Sequence, residues 1–452
     1  MTVPEGRIHL VGAGGAGMSA IAKLLVAKGH GLSGSDLRGG ASLQALADLG
    51  VDVFTGHNPD VVVGADLVVA SSAVPDFDEE LVAAHDLGIT VWRRPELLAA
   101  LTSEIPTIGA TGTHGKTTTT ALLVTALREI GEDPSFVIGG DLLDLSTNGH
   151  YGETDLLVLE ADEAFRTFES LYLHGLVVTN VEHEHVDHFE SAADLVESFI
   201  DVARGVDGPV VACIDDPGAR EVAEAAGSVT YGFDEAADWS IVQMTTGPEG
   251  VEFTLTGRGG SIEVSLAHPG RHLALNAAGA MGLLAELGYD LEQAAAGIGA
   301  FRGVGRRWEH KGTVDGVILY DDYAHHPTEV SAVIDAASGV ATGRLWAVFQ
   351  PHLYSRTQRF SREFGFALAK ADVVVVTDVF GAREEPVPGI TGELVADAVR
   401  EAGGTVHYVP RRYDLAEFLA PKVEPGDLVL SMGAGDITLL HSELAPILGA
   451  RA

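Results

Sequence analysis

Ala110-Thr111-Gly112-Thr113-His114-Gly115-Lys116-Thr117-Thr118 sets a lysine and two threonines directly behind a glycine-containing loop. An apolar run, Pro106-Thr107-Ile108-Gly109, precedes it, and the helical pattern Ala121-Leu122-Leu123-Val124 follows. Residues of these types at this spacing cradle nucleotide phosphates. Backbone N–H groups and a helix N-terminus face the anion, Lys116 supplies a point charge, and the Thr117 hydroxyl reaches Mg2+. The full phosphate-loop pattern has glycine where this chain has Ala110, a difference tolerated at a position that needs no positive φ. ATP or GTP held by Gly112, Thr113, His114, Gly115, Lys116, Thr117 and Thr118 is the expectation.

A second glycine cluster, Gly12-Ala13-Gly14-Gly15-Ala16-Gly17, follows the strand-like Arg7-Ile8-His9-Leu10-Val11 and opens a helix running to Lys28. Asp36 stands about twenty residues beyond the first glycine, where a Rossmann-type unit carries the acid that meets a ribose. The densest polar cluster is Glu182-His183-Glu184-His185-Val186-Asp187-His188. Carboxylates and imidazoles this close together suggest a metal site. Taken alone, the cluster is similar to the His-x-His-x-Asp-His signature of zinc hydrolases of the metallo-β-lactamase fold. Taken with the phosphate loop, one imidazole and Glu160 hold Mg2+ near a nucleotide. The phosphate loop favours the second reading, because the zinc-hydrolase fold has no such element. Farther on, Asp321-Asp322-Tyr323-Ala324-His325-His326-Pro327 and Gln350-Pro351-His352-Leu353-Tyr354-Ser355-Arg356-Thr357 each follow a strand pattern. There Arg356 can clamp a carboxylate and Asp322 can order a cation or a ribose.

The elements that must position these residues alternate strand and helix, which predicts an α/β chain of several domains. The chain has 452 residues, more than one hydrophobic core usually holds. The pattern predicts three domains: a Rossmann-like domain over 1–102, a phosphate-loop ATPase-type domain over 103–311 and a Rossmann-like domain over 312–452. Strand runs at 156–160 and 176–180 place Glu160 and Asn180 at the nucleotide edge of an open sheet. Residues 231–267 read as a small antiparallel excursion, and Gly303-Val304-Gly305-Arg306-Arg307 as a hinge. Hydrophobic residues are 46% and charged residues 21%, a globular composition. The formal net charge of −37, from 28 basic and 65 acidic residues, argues against nucleic-acid binding through a broad basic surface. No apolar run predicts a membrane span, and one cysteine, Cys213, fits a reducing compartment, so a cytoplasmic protein is expected.

Together these motifs resemble the Mur ligases, the ATP-dependent amide-forming enzymes of peptidoglycan synthesis. The resemblance covers essentially the whole chain and includes His9 to Ser19, Leu32 to Asp36, Ser71-Ser72-Ala73-Val74-Pro75, Asp321 to Pro327, Gln350 to Thr357 and Ser431 to Asp436. It implies that Gly14, Gly15, Ala16 and Gly17, with Asp36, Ser71 and Ser72, bind UDP-N-acetylmuramate rather than NAD. It implies that Lys116 and Thr117 hold ATP phosphates and Mg2+, and that Glu160 and His185 stand near a second Mg2+. Asn276, Arg307 and Asp322 match ATP-site positions of the family, His352 and Arg356 lie where the incoming L-alanine is expected, and His325 counts among the substrate-binding residues. Lys116, Glu160, His185 and Asp322 carry the implied catalysis, and a monomer or weak homodimer is expected. Three positions depart from the family pattern: Leu273 where an asparagine is frequent, Ala164-Phe165 after Glu163, and Leu353 where an arginine is frequent. A ligase adding murein tripeptide to the same sugar nucleotide shares most motifs. A nucleotide-dependent oxidoreductase and a non-catalytic UDP-sugar-binding protein are the rivals from other classes.

Overall fold

The computed structural model describes residues 2–182, 189, 191–258, 260–382 and 384–451. The fold is α/β and carries three sheets. The first is five-stranded, in the order Asp52–Thr55, Gly31–Asp36, Arg7–Val11, Leu67–Ala70, Thr90–Arg93, all parallel. The chain runs outward from Arg7–Val11 in one direction and then in the other, so the strand order reverses between Arg7–Val11 and Leu67–Ala70. A ligand crevice opens at such a reversal, beyond the carboxyl ends of the two strands.

The second sheet has ten strands, with Thr107–Thr111 between Gly175–Val178 and Thr154–Glu160, both parallel to it. Every residue of Thr107–Thr111 is buried, as expected of a strand covered on both faces. The helix Lys116–Ile130 buries Thr117 to Leu127 and ends on Gly131, whose φ of 99° is the left-handed conformation that closes a helix. Part of the expectation for 231–267 is corrected here. Val229–Gly232 and Trp239–Gly247 pair in parallel, because the intervening residues cross over instead of forming a tight turn. The links from Trp239–Gly247 to Gly250–Gly257 and on to Gly260–Leu266 are two residues each, which permits only antiparallel neighbours.

The third sheet has the order Glu309–Val314, Val317–Asp322, Leu428–Met432, Leu345–Phe349, Val373–Val376, Val406–Tyr408. Its strands separate their side chains onto two cores with a period of two. Leu345, Ala347 and Phe349 join Val330, Ile334, Phe364 and Val395 on one face. Trp346 and Val348 join Leu415, Leu440 and Leu444 on the other. The helices on each face therefore lock the register, since a one-residue slip would exchange the two cores.

The chain divides into two compact units, residues 1–244, 252–266 and 274–302, and residues 245–251, 267–273 and 303–452. No helix among the described residues is long and apolar enough to cross a membrane.

Candidate active site

In-register parallel pairing brings three strand ends together at the phosphate loop. Val178 pairs with Thr111 and Glu160 with Ala110, so Thr179-Asn180 flanks the loop on one side and Glu160 to Glu163 on the other. Ala110 lies inside the buried strand, which is why glycine is not required there. Gly112 and Gly115 have φ of 133° and 85°. A Cβ on Gly112 would run into Thr179 Oγ1 and lie 2.8 Å from the Asn180 carbonyl; one on Gly115 would lie 2.7 Å from Asn276 Oδ1. Both glycines are thus fixed by backbone conformation and by close neighbours. Asn180 pins the loop from both sides: the His114 N–H donates to its Oδ1 at 2.8 Å, and its Nδ2 donates to the His114 carbonyl at 3.0 Å. Thr179 Oγ1 bonds the Thr111 and His114 carbonyls at 3.0 and 2.6 Å. His114 Nε2 stands 3.3 Å from Glu182 Oε2.

Lys116 Nζ donates to the carbonyls of Gly112 (2.6 Å) and Thr113 (3.3 Å) and to both Glu163 oxygens (2.9 and 2.7 Å), with Asp162 4.0 Å away. Burial works against its charge, but Glu163, Asp162 and Glu160 outweigh burial and hold its pKa above the ordinary lysine value. Thr117 and Thr118 are nearly buried in the first turn of the helix. Glu160 Oε1 accepts the Gly139 N–H. Asn276 is buried against Gly115. Residues 183–188, His185 included, lie outside the described residues. Glu163 was not singled out as a partner of Lys116 in the sequence; its signal was a second acid at the same strand end as Glu160.

The first glycine loop sits beyond Arg7–Val11 at the strand-order reversal. The N–H groups of Gly12 and Ala13 both donate to the Ser35 carbonyl at 2.9 Å, and that of Gly14 donates to Asp36 Oδ2 at 3.0 Å. Asp36 Oδ1 accepts the Arg38 N–H at 3.1 Å, so this carboxylate shapes the loop itself. Ser71 and Ser72 follow the neighbouring strand Leu67–Ala70, and a Cβ on Gly12 would lie 3.0 Å from Ser71 Cβ. Beneath the loop runs a buried network that sequence reading missed. His9 Nδ1 is 2.9 Å from Ser33 Oγ, and His9 Nε2 is 3.2 Å from Glu80 Oε2. Ser35 Oγ and the Asn58 N–H also donate to Glu80. Burial raises the Glu80 pKa, but these hydrogen bonds from His9, Ser35 and Asn58 more than offset it and leave it lowered.

The second unit carries its own constellation at the carboxyl edge of the third sheet. Asp322 pairs with Met432 and Phe349 with the same residue, so the segments after all three strands share one edge. Asp322 accepts the N–H groups of Trp308 and Ala324, each at 2.7 Å. Burial raises its pKa to about 6 against the lowering effect of Arg307 and of these bonds. Arg306 and Arg307 each stand 4.8 Å from the Tyr323 ring centre. His352 Nδ1 is 3.2 Å from Arg356 Nη1. Arginine only donates, so this nitrogen is the acceptor and the His352 proton resides on Nε2. The His352 ring stacks on Phe380 with centres 6.0 Å apart and also meets His325 at 6.0 Å. His325 Nδ1 is 2.9 Å from the Tyr323 carbonyl. Behind them Asp321 accepts from Ser431 at 2.5 Å and Thr438 at 2.6 Å, and Ser431 reaches His441 at 2.8 Å.

A nucleotide-type phosphate loop, a separate glycine loop at a sheet reversal and a third acid- and histidine-bearing sheet edge define an ATP-using, multidomain α/β protein. Residues 7–105 match the Mur ligase family, catalytic domain; residues 110–284 match the Mur ligase middle domain; residues 306–435 match the Mur ligase, glutamate ligase domain. The chain belongs to the Mur ligase family. It is 46% identical to the UDP-N-acetylmuramate–L-alanine ligase of Saccharopolyspora erythraea, over 97% of this chain and 92% of that protein. It is 43% identical to the protein of the same name from Rubrobacter xylanophilus, over 97% of this chain and 99% of that one. Among solved structures, UDP-N-acetylmuramate-alanine ligase MurC from Thermotoga maritima superposes with a TM-score of 0.87 at 28% identity, covering 99% of this chain and 100% of the other. A murein peptide ligase from Psychrobacter arcticus shares the fold, with a TM-score of 0.74 at 24% identity over 98% and 99% of the two chains.

Proposed function

We propose that this chain is an ATP-dependent ligase that joins L-alanine to the carboxylate of UDP-N-acetylmuramate, giving ADP and phosphate, in cytoplasmic peptidoglycan precursor synthesis. The observation that carries this reading is near-full-length identity above 40% to proteins named for that reaction, in a chain that keeps the phosphate loop with its lysine. The muramoyl carboxylate attacks the γ-phosphorus of ATP, and ADP leaves. The alanine amine then attacks the acyl carbon of the acyl phosphate, and phosphate leaves as the amide forms. Such chemistry asks the protein for positioning and charge neutralisation more than for covalent participation.

In this reading Gly112, Thr113, His114, Gly115, Lys116, Thr117 and Thr118 hold the ATP phosphates, with Asn276, Arg307 and Asp322 assigned to the nucleotide. Lys116, already protonated and fixed on two carbonyls, meets the phosphate as a rigid cation. Thr117 and Glu160 offer hydroxyl and carboxylate oxygens, the hard donors that suit Mg2+, and His185 joins them by the family resemblance. When bound, Mg2+ would supply neutralisation of phosphate charge. Gly14, Gly15, Ala16, Gly17, Asp36, Ser71 and Ser72 are assigned to the sugar nucleotide, His352 and Arg356 to L-alanine, and His325 to substrate binding. Domain limits at 1–102, 103–311 and 312–452 and a monomer or weak homodimer complete the proposal.

Phosphate release from ATP with Mg2+ and UDP-N-acetylmuramate tests it, with L-alanine, murein tripeptide or no acceptor added. Release that depends on L-alanine supports the reading. Release only with tripeptide, or with neither acceptor, refutes it.

A further inference from the structure

Two adjacent arginines begin the helix Arg94–Glu104 and differ sharply in how their donors are used. Arg93, at its N-cap, makes three contacts: Nη1 donates to the carbonyls of Ser71 (3.3 Å) and Val74 (2.7 Å), and Nη2 pairs with Asp76. Arg94 makes one long contact, from Nη2 to Asp162 Oδ2 at 3.3 Å, and its Nε is buried with no partner among the described residues. A guanidinium has five N–H donors, and native structures rarely bury them unmet. Arg94 is also tightly located. A Cβ on Gly17 would lie 2.8 Å from Arg94 Nη1, so glycine at the end of the first glycine loop admits the guanidinium. On its other side Asp162 leads to Lys116 Nζ, 4.0 Å away.

Near the start of this helix opens a hollow of ≈ 360 Å³ lined in part by Ser72, Arg93, Pro95 and Phe165; Arg94 falls between two of its lining residues in sequence without lining it itself. The Ser72 hydroxyl is buried there without a partner among the described residues. Phe165 and Arg166 have φ of 55° and 52°, a left-handed pair of non-glycine residues. Backbone of that kind costs about 1–3 kcal/mol per residue and persists where surrounding structure holds it in place.

One under-used cation thus stands between two anion-binding loops of the same compact unit. The diphosphate belongs at the glycine loop and the γ-phosphate at Lys116. The anion that must lie between them is the carboxylate to be activated. We propose that Arg94 binds the carboxylate of the sugar nucleotide, with its sugar in the hollow against Ser72 and Phe165, an assignment that rests on the reaction proposed above. The planar fork suits a carboxylate bidentately, and Asp162 is the carboxylate it exchanges.

The test is binding without ATP, by calorimetry, of UDP-N-acetylmuramate and of UDP-N-acetylglucosamine, which lacks the carboxylate. The wild-type chain is expected to prefer the first by about tenfold or more, the worth of a charge-assisted hydrogen bond. Arg94→Ala should bring that ratio close to one while keeping the affinity for UDP-N-acetylglucosamine, and Arg94→Lys should retain part of it. Preserved glucosamine affinity serves as the folding control, and Arg94→Lys carries the test if the alanine variant does not fold. A ratio unchanged in both variants, or a wild-type ratio of one, overturns the role of Arg94 alone. A wild-type chain that binds neither sugar nucleotide overturns the reaction itself.

Discussion

Replacing Lys116 by alanine removes two things at once, and the structure allows them to be separated. The Glu163 side chain is 1% exposed and takes both of its short lysine contacts, 2.7 and 2.9 Å, from Lys116. Lys116→Ala therefore leaves a buried carboxylate without its lysine. Breaking a buried pair from one side costs about 3–5 kcal/mol, and the 14% exposure of the lysine side chain puts this case near the lower end. At about 2–4 °C per kcal/mol for a domain of this size, Tm should fall by roughly 6–12 °C. Lys116→Ala/Glu163→Gln removes the buried negative charge and should recover most of that loss. Turnover should not return, because the phosphate still lacks its cation; a loss of at least about a hundredfold is expected in both variants. UDP-sugar binding should survive in both, since the glycine loop follows a different sheet. Thermal melts beside phosphate-release assays read all of this. A double variant as unstable as the single one would refute the charge argument, and a double variant that regains turnover would refute the role of Lys116 at the phosphate.

Gly112→Ala forces a side chain into a backbone with φ of 133°, against Thr179 and the Asn180 carbonyl, so MgATP affinity should fall by about tenfold or more in calorimetry; unchanged affinity would mean the loop relaxes freely. Asp322 keeps its proton up to about pH 6 in the folded chain but gives it up near 3.8 when unfolded, so it costs stability as pH rises across that window, by about 3 kcal/mol. Urea titrations should show the wild type losing stability relative to Asp322→Asn between pH 4 and 6 and not above, and a pH-independent difference would contradict this. His441 has the opposite sign: burial lowers its pKa, so its contribution is lost as pH falls below 6.5. His441→Gln should flatten that acid limb, and an unchanged limb would show that His441 is not its source. Glu80→Ala leaves His9, Ser35 and the Asn58 N–H without their acceptor, at about 1 kcal/mol or more each, so both Tm and sugar-nucleotide affinity should drop; loss of neither would remove the network from the support of the glycine loop.

Much of this molecule was legible because short apolar runs ending in glycine or in acids mark the carboxyl ends of parallel strands. Arg7–Val11, Thr107–Thr111 and Val317–Asp322 were visible in this way, and so were the loops after them. The neighbours that complete each site were less visible. Asn180 grips His114 from a strand 66 residues away, and Glu80 meets His9 across 71 residues. Sequence spacing says nothing about which elements become neighbours: Asn180 is placed by strand order, and Glu80 by the packing of the helix Glu79–Asp86. The crossover between Val229–Gly232 and Trp239–Gly247 was misread for a related reason: alternation of side chains marks a strand but not the direction of its partner.

The departures from the family pattern fall where local geometry gives them other work. Ala110 sits in mid-strand with no demand for glycine. Leu353, at the N-cap of Tyr354–Leu368, adopts φ of 68° while its N–H donates to the Phe380 carbonyl at 3.0 Å, so the turn is held from the neighbouring segment and not by its side chain. Leu273 is buried at 5% exposure, packing where an asparagine would need partners, while Asn276 one turn later keeps the contact with Gly115. The phosphate-loop region is acidic. Glu160, Asp162 and Glu163 all act electrostatically on Lys116, and Arg94 also reaches Asp162, three carboxylates to two cations. A phosphate entering there adds further negative charge to a site already in deficit, and at short range in a poorly solvated pocket that repulsion is large. Cations arriving with the nucleotide would close that balance. The carboxylates that hold Lys116 charged would therefore also favour the Mg2+ proposed to accompany the nucleotide.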